Sequence, residues 1–79
     1  MEFIYEQLKV YLEEQLSNIK GWKKSKKQQK QFYTESAGAT EIAIRMAEAA
    51  HDKETERKIC QLWNFEIMPK MDMAIWGER

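Results

Sequence analysis

Apolar residues recur along most of this chain at spacings of three and four, the period of an α-helix. In the first segment Ile4, Tyr5, Leu8, Tyr11, Leu12, Leu16 and Ile19 fall on one face roughly 140° wide. Phe3 and Val10, seven apart, share the far side. They read as ordinary surface hydrophobes, with a contact to another chain as the sharper alternative. The second segment is centred on Ser36 to Ala50, SAGATEIAIRMAEAA. Here Phe32, Ser36, Ala39, Ala43, Ala47 and Ala50 form one stripe, with Ile42 and Met46 on one shoulder and Ile44 on the other. Glu35, Glu41, Arg45 and Glu48 are assigned to an opposite, solvated strip. So wide an uncharged arc predicts a helix touched from two sides, its small side chains receiving large ones such as Leu8, Leu12, Leu16, Trp63 and Ile67. In the third segment Ile59, Leu62, Trp63 and Ile67 form the face.

Local signals set the boundaries. Gly21 stands where a left-handed residue would close the first helix, with Trp22 folding back onto its last turn. Ser25 and Gln28 have the spacing of a capping box. The lysine pairs 20/24, 23/27 and 26/30, each four apart, would repel if helical, so the second start falls between Ser25 and Thr34. At His51 and Asp52 the helical phase breaks. His51 tolerates a left-handed conformation better than most residues, and Asp52 is a good N-cap. Pro69 is expected to end or kink the third helix, or to open a short fourth one. Gly38, inside the second helix, costs about 1 kcal/mol relative to alanine.

The pattern predicts an all-α fold: a small antiparallel bundle of three main helices, at about residues 2–20, 27–50 and 53–67, plus a short C-terminal helical segment at about 70–76. One proline and three glycines in 79 residues leave few breaks for a β domain. The length gives a single domain spanning residues 1–79, close to the size at which one core supplies only a few kcal/mol. Self-association, as a homodimer, is therefore expected. No stretch is apolar enough for a membrane span or signal peptide, and a lone cysteine, Cys60, fits a reducing compartment. The expected location is cytoplasmic.

Charge changes this picture locally. The formal net charge is zero, yet Lys20, Lys23, Lys24, Lys26, Lys27 and Lys30 place six bases and no acid within eleven residues. With Trp22, Phe32 and Tyr33 beside them, they form a candidate patch for nucleic-acid phosphates or an acidic protein. All six are lysine, so guanidinium reading of guanine is excluded.

Residues suited to catalysis are scarce. One His and one Cys, with no nucleophile elbow, phosphate-binding loop or zinc motif, argue for a protein that is not an enzyme and needs no cofactor. Glu48-Ala-Ala-His51 has the Glu-x-x-His spacing of di-metal helical bundles. It reads better as chance on a solvated strip, so no metal site is assigned.

From Leu62 to Trp76 ten of fifteen residues are apolar, more than one helix face can bury. Rich in Met and Trp, this stretch resembles the centre of a protein interface. Trp63, Phe65, Met68, Met71, Ile75 and Trp76 are its candidate residues, joined by Ala39 and Ala43 of the small-residue stripe. The expected function is a helical interaction protein, an adaptor or inhibitor of a larger protein. The alternatives are a nucleic-acid-binding accessory protein using residues 20–30 and, further off, a metal-binding dimer through Glu48 and His51.

Overall fold

A computed structural model describes residues 2–21 and 25–77. Three helical rods run up, down and up: α1 (Glu2–Gly21), α2 (Lys26–Ala49), and a third built from α3 (Lys53–Gln61), a π-helical stretch (Leu62–Ile67) and α4 (Met68–Trp76). Contacts at both ends fix the antiparallel order. Gln29 donates to the Ile19 carbonyl at 3.2 Å, and Lys26 donates to the Ile75 carbonyl, so the start of α2 lies beside the ends of α1 and α4. At the other end Lys58 approaches Glu2 at 3.8 Å. The expected all-α bundle is what forms, 41 Å long and 17 by 16 Å across.

The second helix starts at the early limit of its predicted range because the capping box forms. Gln28 N–H donates to Ser25 Oγ at 3.2 Å, and Ser25 N–H donates to Gln28 Oε1 at 3.0 Å, satisfying two otherwise orphaned donors. Its end follows the expected turn. His51 is left-handed, with φ 58°, which brings His51 N–H onto the Glu48 carbonyl at 3.0 Å and Asp52 N–H onto the Ala47 carbonyl at 2.9 Å. This is the Schellman pair of bonds. Asp52 then caps α3, accepting from the Thr55 N–H at 3.1 Å and the Thr55 hydroxyl at 2.8 Å. Gly21 departs from expectation. It is the last helical residue of α1 and has no positive φ; Trp22, its expected cap partner, lies outside the described residues.

The core draws Leu8, Leu12 and Ile19 from α1, and Ile59, Leu62, Ile67, Met71 and Ile75 from the third rod. Against them α2 presents Ser36, Thr40, Ala43 and Ala47, all buried. Phe32 and Ala39 are only half-buried and Ala50 is exposed, so the packed stripe is rotated from the predicted one. The reason is Thr40. Its hydroxyl donates to the Ser36 carbonyl at 2.9 Å, as that of Ser36 does to the Phe32 carbonyl at 2.8 Å, and a hydroxyl satisfied by its own helix enters a core cheaply. Glu35 also moves: it lies at the α1–α2 seam, where the buried Gln15 amide reaches it at 3.5 Å and the Phe32 carbonyl at 3.4 Å.

The third rod does not stop at Ile67. Leu62 and Ile67, both buried, are five residues apart, which an α-helix would place about 140° out of phase. The π turn removes that difference by bonding five residues back, as in Met68 N–H to the Trp63 carbonyl. Thr55, Ile59 and Leu62 before it, and Ile67, Met71 and Ile75 after it, therefore share one buried face. Pro69 explains the widening. In α register its ring would meet the Phe65 carbonyl four residues back, whereas here it enters the first turn of α4, where a missing N–H costs nothing.

Candidate interaction surfaces

The residues predicted for a C-terminal interface are not gathered on one surface. Met71 and Ile75 are fully buried in the chain's own core, a correction that follows from the π turn: with the phase restored, they face inward. Trp63 is half-buried against Tyr33 of α2, ring centroids 5.7 Å apart at 59°. Burial, with the nearby Asp72 carboxylate second, pushes the Tyr33 phenol above its ordinary value. Met68 is half-buried. Phe65 is 77% exposed and Trp76 52% exposed, but eleven positions of helix, roughly 16 Å, separate them.

The lysine segment forms a basic end of the rod, with a different internal arrangement from the one expected. Lys20, Lys26, Lys27 and Lys30 are exposed, and Lys70 borders a shallow groove with Lys20, Pro69, Met73 and Ala74. Yet Lys26 and Lys30 each sit 4.9 Å from the centroid of the Trp76 ring, and Lys26 also caps the Ile75 carbonyl at the negative end of α4. Two of the six lysines thus hold the bundle together. Trp22, Lys23 and Lys24 lie outside the described residues.

Catalytic and metal readings gain no geometry. His51 stands beyond the end of α2 in the left-handed turn, so Glu48 and His51 do not share a helix face. Among the described residues no group of three or more His, Cys, Asp or Glu side chains could hold a metal ion. Cys60 is half-buried and free. The Asp52 carboxyl is held below its ordinary value by the Thr55 backbone N–H and hydroxyl, a capping role. No described helix is long and apolar enough to cross a membrane.

Comparison with known protein families, curated proteins and solved structures finds no match.

One surface escaped the sequence reading. Where α1 and α2 run side by side, Ile4, Tyr11, Ala39, Ile42 and Met46 line a groove of about 270 Å³ with Ala43 at its floor. Ile42 is 62% exposed and Met46 44%. Gln7 lines the groove as well, and Phe3 and Val10, also exposed, lie beyond it, about 100° round α1 from Ile4 and Tyr11. Of the predicted interface residues, Ala39 and Ala43 alone belong here. The signal was present in the shoulder formed by Ile42 and Met46, but rotation of the stripe toward Thr40 is what turns that shoulder outward.

Proposed function

We propose that this chain is a non-enzymatic helical interaction protein that acts by docking another protein on the α1–α2 face. The observation that carries the reading is the exposed apolar groove just described. Surface hydrophobes occurring singly are ordinary, whereas a contiguous apolar set along a shallow groove is what protein contacts use. A rod of three helices also leaves the α1–α2 seam in the position that a fourth helix occupies in a four-helix bundle. The nucleic-acid alternative has less behind it, since Lys26 and Lys30 are engaged within the chain. Self-association through the C-terminal stretch likewise loses Met71 and Ile75 to the core.

Site-specific photo-crosslinking in the cells that make the protein tests this. A crosslinker at position 42 or 46 is expected to give protein adducts that survive nuclease, while one at the exposed Glu54 gives none. Equal labelling from all three positions, or adducts removed by nuclease, would overturn the reading.

A further inference from the structure

The rim of the α1–α2 groove carries charge of one sign. Glu14 follows the groove-lining Gln7 by seven residues and Glu35 precedes Ile42 by seven, so each continues its helix's groove strip, at the end where Gln15 reaches Glu35. Both are exposed. No Lys or Arg lies on the same strip of either helix. Arg45, the nearest base beyond Ile42, is already held by Glu41 at 2.9 Å.

From this we infer that the occupant of the groove is a basic amphipathic helix of another protein, an apolar stripe flanked by Lys or Arg. The inference rests on the proposed docking function and names the chemistry of its partner. The apolar floor takes the stripe in the helix-in-groove manner, and the acidic rim selects its flanks. Residues 3–14 of α1 and 35–46 of α2 each span about 16 Å, so the face accommodates about three turns of helix, with anchors at i, i+3 or i+4, and i+7. A second copy of the chain fits poorly. A symmetric contact through this face repeats the same patch on both sides, and that patch carries no base to meet Glu14 and Glu35.

The test uses the full chain and three labelled synthetic helical peptides. One has leucines at helical spacing flanked by lysines, one has the same leucines flanked by glutamates, and one has the lysine peptide's composition in scrambled order. Fluorescence anisotropy should find the ordered lysine peptide bound about tenfold more tightly than either control. Ile42→Ser with Met46→Ser should abolish that binding while circular dichroism stays unchanged, because both side chains are already exposed. Glu14→Gln with Glu35→Gln should keep the leucine contact and erase the preference for lysine.

Equal binding of the two ordered peptides would overturn the inference, as would equal binding of the scrambled one or no binding at all. Dimerisation of the chain that is lost in the Ile42→Ser, Met46→Ser variant would overturn it in favour of a second copy. Protein crosslinks from position 42 alongside any of these results would leave the docking function standing and remove only the partner assigned to it.

Discussion

His51 holds a left-handed backbone without being glycine, and the turn after α2 depends on it. A side chain in that region costs about 1 to 2 kcal/mol, partly offset by the extra entropy a glycine would have when unfolded. His51→Gly is therefore expected to stabilise the fold by about 0.5 to 1 kcal/mol, raising the thermal midpoint by a few degrees in a circular-dichroism melt. Gly38 is the converse case. It is exposed on α2, and a methyl group there would meet nothing within 4 Å, so Gly38→Ala should gain about 1 kcal/mol in urea denaturation. Asp52 supplies a pH dependence. Its folded carboxyl titrates below the ordinary value of 3.8, so its contribution is fully present above the unfolded value and disappears as pH falls through the lower folded one. Asn caps nearly as well but does not titrate. The stability of the native chain should accordingly fall relative to Asp52→Asn as the pH drops through that range.

At the scale of the elements, helix starts and turns were legible because their chemistry is local: Ser25 with Gln28, and His51 with Asp52, act within four residues of themselves. The third rod was legible only to Ile67, because Pro69 reads as a stop or kink, which detaches Met71 and Ile75 from the Ile59/Leu62/Ile67 face and counts them among the surplus hydrophobes. The π turn instead carries the rod past Pro69 with that face in phase. The structure makes a matched pair of substitutions informative. Deleting Asn64, which is exposed, would bring Leu62 and Ile67 to α-helical spacing but return Pro69 to a regular helix interior, at a loss of about 3 kcal/mol. Adding Pro69→Ala to the deletion should recover most of that. Melting curves of the two variants check the expectation, and a double variant no more stable than the deletion alone would refute the link between the π turn and Pro69.

For the molecule as a whole, the fold class followed from periodicity and the scarcity of glycine and proline, but the surface did not. Which apolar residues stay outside depends on how far each helix rotates about its axis, and for α2 that rotation is set by the two satisfied hydroxyls of Ser36 and Thr40. The lysine run shows the same limit, since no local pattern places Trp76 beside Lys26 and Lys30. Each such cation–ring contact contributes about 0.5 to 1 kcal/mol, so Lys26→Gln with Lys30→Gln should cost roughly 1 to 2 kcal/mol in denaturant unfolding. Any binding assay that neutralises these lysines must therefore be read beside a stability measurement. The π turn has one more consequence, for the history of the sequence. A single extra residue and a proline that tolerates it make a linked change, confined to Leu62–Ile67 and Pro69, that leaves the buried face on either side intact. Ancestral or sister sequences lacking Pro69 are expected to be one residue shorter here, and comparing them without a gap would misalign every core position from Ile67 to Ile75.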